Sequence, residues 1–568
     1  MKFNFSKENL KPRQAKLQRA LEILPGACSW GILLGLIFLS IFFPFSAAIL
    51  IVAFYLSWIM RILYSTIFLL LSYLHLSLEK KTDWMHRIHG IDNLPSYLKE
   101  IRLKKFGRHW RQATSHKIHI DQLDKLAASK TPPPASKDIY HLVIFPVIKE
   151  GREILEPAID AISRQNFPLK QMVVVFALEE RALPPVQLAV RQLEEKYKDV
   201  FFACITVLHP AVVPGEARVK GANVTCAGKQ AAAFFQNHQI PFENVIISCF
   251  DADTVVSSNY FSCLAYHFMI CPERQRASFQ PIPVYHNNIW QVPGFARVVE
   301  TGSSFYQLVE STNPEKLVTF SSHSMSFKAL VDVDYWPVDM ISDDSAIFWK
   351  AYIHYDGQYQ VIPMYVTLSM DVAAANNWWQ TVKTVYKQKQ RWAWGVENFP
   401  IVMRAFLRAK KIPLWEKFRL GFKLFEGHLS WATSGFILSI IGWLPVHFAR
   451  REFTASVAYY NVPDIANTIF GLGFFSMCIM ITLSLCLLPK TKIRYRWLLK
   501  LGHAFEWIMV PFILVFFSAM PALHAQTRLM LGRYLEFWVT DKHRKKKNPA
   551  ALSEVQGKNN VTNSVPRP

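Results

Sequence analysis

The chain has 568 residues, 51% hydrophobic and 14% aromatic, with 64 Lys and Arg against 42 Asp and Glu for a net charge of +22. That length holds two or more domains, burial is not limiting, and the eight scattered cysteines form no CxxC pair, which argues against zinc and a disulfide framework and for a reducing compartment. The basic excess calls for an anionic partner, and because Lys and Arg cluster beside apolar segments and no nucleic-acid motif is present, lipid headgroups or a phosphate-bearing substrate fit better than nucleic acid.

Residues 1–26 begin "MKFNFSKENLKPRQAKLQR", too long and polar to open a signal peptide. Their basic charge keeps them cytosolic by the positive-inside rule. Residues 27–76 hold two apolar lengths of about 20 residues, enough for two spans, with Pro44 between them. The chain then returns to the cytoplasm, so the basic linker region 77–136 and the domain 137–400 are expected there. Interfacial helices are expected over 401–426. Residues 427–449 and 464–488 each suit one span, and "PKTKIRYRWLLK" after them is basic. The apolar stretch 503–531 is broken by Pro511 and Pro521. Reading 427–531 as membrane helices ending in a re-entrant hairpin keeps the basic tail, 532–568, inside. The expectation is a multi-pass integral membrane protein of a bacterial inner or plasma membrane, with its soluble domain in the cytoplasm.

From 137 onward, short strands alternate with helices. "YHLVIFPVI", "QMVVVFAL", "FFACITVLHP" and "NVIISCF" read as strands. "GREILEPAIDAISRQN", "PPVQLAVRQLEEKYKD" and "KGANVTCAGKQAAAFFQNH" between them have helical spacing. The alternation predicts a parallel α/β sheet, and such sheets bind ligands at the carboxyl ends of their strands.

Three polar clusters stand out. "VIISCFDADT" ends a buried strand with Asp251 and Asp253. Side chains at i and i+2 of extended chain point the same way. Two hard oxygen ligands at one point suit Mg²⁺ or Mn²⁺ bridging a diphosphate, and the same pair also fits a solvated turn or helix cap. In "MISDDSAIFWKAY", Asp343 and Asp344 precede a helical run. A carboxylate there can take a proton from an attacking hydroxyl, and Ser342 with the aspartates equally suits a helix start. In "QKQRW", Gln388, Arg391 and Trp392 fall on one helix face. Arg grips phosphate bidentately and Trp offers a flat surface to a sugar, while an interfacial amphipathic helix accounts for the same residues.

Taken together, DxD, an acidic pair and QxxRW ahead of membrane spans resemble the membrane-embedded family-2 glycosyltransferases of the cellulose, hyaluronan and related polysaccharide synthase type. "FPVIKEGREILEPAIDAISRQNFP", with Pro146 and Glu150, resembles the family's opening nucleotide-binding segment. "VKGANVT" (Lys220, Gly221, Ala222, Asn223) and "SFQPIPVYHNN" resemble later segments. "FWVTDK" resembles a cytosolic gating loop closing over the nucleotide, with Phe537, Val539, Thr540 and Lys542 in the matching places. The resemblance implies a GT-A-like, Rossmann-like nucleotide-sugar domain inserted between α-helical transmembrane segments. It implies a metal on Asp253 with Asp251 nearby, Lys220, Gln388 and Arg391 at the donor, Trp392 at the acceptor end, and Asp344, preceded by Asp343, as the base of an inverting transfer. The implied donor is a nucleoside-diphosphate sugar, UDP-linked by resemblance. Two departures bear on this. Phe176 and Ala177 stand where the family places an acidic pair at the base and ribose, with Glu179 and Glu180 just beyond, which leaves a GDP-sugar open. "S-D-D" also replaces "T-E-D". The acceptor is a growing glycan, passed outward through the membrane helices, or alternatively a lipid glycosylated once. A membrane scaffold without activity is the remaining alternative, and the three polar clusters argue against it.

Overall fold

In the computed structural model, residues 3, 5–7, 10–103, 110–448, 457–489, 496–536 and 538 are described. The four expected strands are present as β1 (Tyr140–Val147), β2 (Met172–Glu179), β3 (Ala203–His209) and β4 (Val245–Cys249), all mutually parallel. The intervening helices are Arg152–Ile162, Pro184–Tyr197 and Lys220–Asn237. Every residue of β2 is buried, as its unbroken apolar run requires of a strand covered on both faces. Alternate residues serve opposite sides of the sheet. Val143, Phe145 and Phe176 enter one core, while Leu142, Ile144, Val173 and Val175 enter the other.

The sheet continues with β5 (Val255–Val256), β6 (Ala277–Val284), β7 (His323–Ser326) and β8 (Gln360–Ser369) in the spatial order β3-β2-β1-β4-β7-β6-β8-β5. It is therefore mixed rather than wholly parallel. β6 and β8 pair in parallel, but β7 runs antiparallel to both β4 and β6, and β5 antiparallel to β8. Only a short turn separates Cys249 from Val255, too little for a parallel crossover, which needs a dozen or so residues. β5 instead pairs at the far edge with the end of β8, Val255 opposite Ser369.

Three helices among the described residues are long and apolar enough to cross a membrane: Pro12–Phe42, Pro44–Glu79 and Trp497–Met530. A fourth span is possible by length if Leu414–Ser439 and Ile441–His447, bent by 48°, count as one. The first pair breaks at Phe43, and Pro44 opens the second helix, where its missing N–H costs no hydrogen bond. The hairpin expected over 503–531 is instead one helical run. Around its prolines the backbone shifts to a 3₁₀ turn at Trp507–Met509 and a π turn at Leu514–Ala519, local adjustments that absorb Pro without reversing the chain. Residues 77–136, read from sequence as a linker, contain the helices Trp84–Ile91, Leu94–Leu103 and Trp110–Ala127. Trp84 is buried there, and His119 bonds Tyr97 and Tyr266, tying these helices to the sheet domain.

Candidate active site

The carboxyl ends of β1, β2 and β4 lie side by side, with Val147 opposite Leu178 and Ile144 opposite Cys249. The chain leaving them supplies Glu150, Glu179 and Asp251 to one cleft, together with Pro146, Lys220, Asn223, Asp253, Tyr285, Ser321, Asp371, Gln388, Arg391 and Trp392. The cleft is open at its mouth, and its cavity volume is about 100 Å³. Glu150 folds back so that one carboxylate oxygen accepts from the backbone N–H of Ile148 and Lys149, both at 2.9 Å. It thereby fixes the turn after β1.

The Asp251 carboxylate accepts from Lys220 Nζ at 2.9 Å on one oxygen and from Ser321 Oγ at 2.9 Å on the other. Asp253 is buried, and its Oδ2 accepts from the Asp371 backbone N–H at 2.8 Å. Asp253 is therefore not a solvated turn residue, while Asp251 is partly exposed but held by two partners. Lys220 opens the Lys220–Asn237 helix. Burial works against its charge, but Asp251, Cys249 and Asp343 outweigh that and raise its pKa well above the ordinary lysine value. Two carboxylates beside Asp371 make a hard-oxygen donor set of the kind a small divalent cation takes, although no cluster of three or more ligating side chains occurs among the described residues.

Gln388, Arg391 and Trp392 all face the cleft from the Trp378–Ala393 helix, as their i, i+3, i+4 spacing requires. Asn377 caps that helix by accepting from Gln380 N–H at 2.8 Å. Trp392 is held by packing. Phe320 meets it edge-on with centroids 5.5 Å apart, and Lys389 Nζ lies 3.6 Å from its ring centroid. Lys389 is buried and paired with the fully buried Glu300 at 2.9 Å. Burial lowers the Lys389 pKa against the attraction of Glu300.

Asp343 and Asp344 open the Asp343–His354 helix but do not line the cleft. Asp344 Oδ2 accepts from Ser321 N–H at 2.7 Å, and Ser321 Oγ donates to Asp251, so a single residue bridges the two acidic motifs. Asp343 is buried, and burial, reinforced by the charges of Asp344 and Asp251, pushes it up to about 7 against the opposing pull of Lys220 and Arg391. Ser342 makes no side-chain cap to the helix, so the helix-start reading of that serine fails in its detail.

The structure thus brings Glu150, Lys220, Asp251, Asp253, Gln388, Arg391 and Trp392 into one cleft and joins Asp344 to it through Ser321, with Asp343 buried beside it. Phe537, Thr540 and Lys542 lie outside the described residues. Sequence reasoning missed Asp371, Ser321 and Tyr285. Asp371 carries the same signal that exposed Asp251, an acidic residue just past the end of a strand, here β8. Ser321 carries none, because its role depends on a left-handed backbone, φ 50°.

Comparison with known proteins gives the following. Residues 246–520 match the model of glycosyl transferase family group 2. The chain is similar to a poly-beta-1,6-N-acetyl-D-glucosamine synthase of Staphylococcus aureus, 27% identical over 176 residues, which is 30% of this chain and 39% of the relative. The matched stretch therefore spans well under half the length of that curated protein. Among solved structures it is similar to the mannosyltransferase PcManGT from Pyrobaculum calidifontis in complex with GDP-Man and Mn²⁺, with TM-score 0.38 and 14% identity over 81% of this chain and 99% of that one. It is also similar to S. aureus TarS 1-349 in complex with UDP, with TM-score 0.34 and 12% identity over 71% of this chain and 95% of that one. Just under half of the chain, residues 246–520, is thus similar to glycosyl transferase family group 2, and helices long and apolar enough to span a membrane lie on both sides of the sheet domain.

Proposed function

We propose that the protein is an inverting glycosyltransferase that takes a sugar from a nucleoside-diphosphate donor, a UDP-sugar, and adds it to a polysaccharide at the cytosolic face of a membrane, with export of the chain. One observation carries this reading: the acidic pair at the end of β4, the basic and amide groups of the Trp378–Ala393 helix, and Glu150, Glu179 and Asn223 all face one cleft. The similarity to a polysaccharide synthase favours a glycan acceptor.

The division of labour follows from side-chain chemistry. Asp251 and Asp253 would hold Mg²⁺ or Mn²⁺, which would stabilise the leaving diphosphate. Arg391 pairs bidentately with phosphate oxygens, and Gln388 orients them by hydrogen bonding. Lys220, released from Asp251, adds a second positive charge. Glu150 and Glu179, at the ends of β1 and β2, take the nucleoside. Trp392 presents its ring to the acceptor sugar. Asp344 accepts the proton of the attacking hydroxyl, with Asp343 beside it.

The test is turnover. Purified full-length protein is incubated with labelled UDP- and GDP-sugars, Mg²⁺ or Mn²⁺ and membrane lipids, and the product is sized. A long polymer that Asp344→Asn abolishes is expected. A single-sugar glycolipid would replace the polymer reading with a lipid acceptor, and no transfer from any donor would overturn the proposal.

A further inference from the structure

Glu397 lies outside the cleft, in the 3₁₀ turn Trp394–Glu397 that directly follows the helix carrying Gln388, Arg391 and Trp392. It is 3% exposed. Its Oε1 accepts from the backbone N–H of Ile341 at 3.0 Å, from the backbone N–H of Ser342 at 3.0 Å, and from Ser342 Oγ at 2.9 Å. The next residue, Asn398, donates from Nδ2 to Ser342 Oγ at 3.2 Å and to Ser345 Oγ at 3.0 Å. One turn of chain therefore grips the residues on both sides of Asp343 and Asp344. On its outer side the carboxylate meets Lys7 Nζ at 3.6 Å. Ser6 Oγ donates to Asp339 Oδ2 at 2.6 Å, so the N-terminal segment docks on the same acidic stretch.

A buried carboxylate is costly unless donors surround it, and hydrogen bonds to a charged acceptor are among the stronger and more directional ones. Here three donors come from just two successive residues, 341 and 342. The Asp343–His354 helix starts at the next residue, and Ser342 gives it no side-chain cap because its hydroxyl is turned to Glu397. We propose that Glu397 is a positioning residue for proton transfer: it ties the start of the Asp343–Asp344 segment to the end of the Gln388–Trp392 helix, and so sets where Asp344 stands relative to the groups that hold the donor. The inference rests on the reading of Asp344 as the base. Glu397 touches neither the cleft nor Asp344 itself, so it acts through Ile341 and Ser342.

The experiment compares full-length wild type, Asp344→Asn, Glu397→Ala and Glu397→Gln in detergent, with whichever labelled nucleotide sugar the wild type uses. It reads kcat and the donor KM. Glu397→Ala is expected to lower kcat by about 100-fold, the scale on which a misplacement of about 1 Å acts, with the donor KM unchanged because the cleft is untouched. Glu397→Gln keeps an oxygen acceptor in the same place and is expected to recover most of that loss. A folded Glu397→Ala with wild-type kcat overturns the inference. So does a parallel change in KM, or a glutamine variant no better than alanine. If Glu397→Ala fails to fold, Ser342→Ala decides in its place: a lower kcat at constant KM is expected, and an unchanged kcat overturns the inference. Wild type active with Asp344→Asn equally active would instead sink the base assignment on which it rests.

Discussion

Asp343 is buried with one carboxylate oxygen, Oδ2, that has no hydrogen-bond partner among the described residues. Lys220 and Arg391 favour its charge, while burial, Asp344 and Asp251 oppose it more strongly, and its pKa sits at about 7 instead of the ordinary 3.8. The linkage to stability has a definite sign. Between those two values the folded state holds a proton that the unfolded chain has released, so stability falls as pH rises across that window and levels off above it. Asn at this position is neutral at every pH. Thermal unfolding of the detergent-solubilised protein from about pH 4 to pH 8 should therefore show a falling midpoint for wild type and a flatter profile for Asp343→Asn. Equal slopes would mean that Asp343 stays ionised. Nothing in "S-D-D" separates the two aspartates. Burial does, placing Asp343 against the helix core and leaving Asp344 half-exposed beside Ser321.

Among the elements, the Lys220–Asn237 helix shows how tightly the two halves of the site are fitted. A Cβ on Gly221 would fall 2.2 Å from the carbonyl oxygen of Pro337 and 3.3 Å from Asp343 Cβ. The obstacle is backbone, which cannot rotate away, so helix and loop must separate. Gly221→Ala is expected to cost about 1–3 kcal/mol as an overpacking change. It should also lower donor affinity, because Lys220 and Asn223 line the cleft from the same helix. Nucleotide titration by calorimetry checks this, and unchanged affinity in the folded variant would show that the loop gives way freely. The parallel strands and this helix were readable in the sequence because apolar runs and 3.6-residue spacing are local signals. β7 was not, since four residues, His323–Ser326, carry too little pattern and owe their strand form to β4 and β6 on either side. Trp392 was readable as a residue facing the cleft, but its support was not. The Glu300–Lys389 pair beneath it joins positions far apart in the chain.

At the scale of the whole molecule, the cleft is joined through packed helices to those long and apolar enough to cross a membrane. The Trp378–Ala393 helix packs on Met520–Met530, where Tyr386 Oη and His524 Nδ1 lie 3.2 Å apart. Met520–Met530 in turn packs on the first apolar helix. Ser29 Oγ donates to Gln526 Oε1 at 2.6 Å, Trp30 Nε1 donates to Thr527 Oγ1 at 2.9 Å, and Arg19 bonds the carbonyls of Leu529 and Met530. Gly26 permits this approach, because a Cβ there would lie 2.9 Å from both Gln526 O and Met530 Cβ. Close contact through small residues is how helices associate in lipid, where burial of apolar surface from water no longer drives them together. Enlarging Gly26 should push Met520–Met530 outward, and with it the helix that presents Gln388, Arg391 and Trp392. Gly26→Leu is therefore expected to lower glycosyl transfer by about 100-fold, as misplacement of catalytic groups by about 1 Å does. Membrane insertion should be unaffected, since Leu is more apolar than Gly. Transfer assays on membranes with matched protein levels check the prediction. Full activity in Gly26→Leu would mean that the sheet domain holds its site helix without help from the first apolar helix.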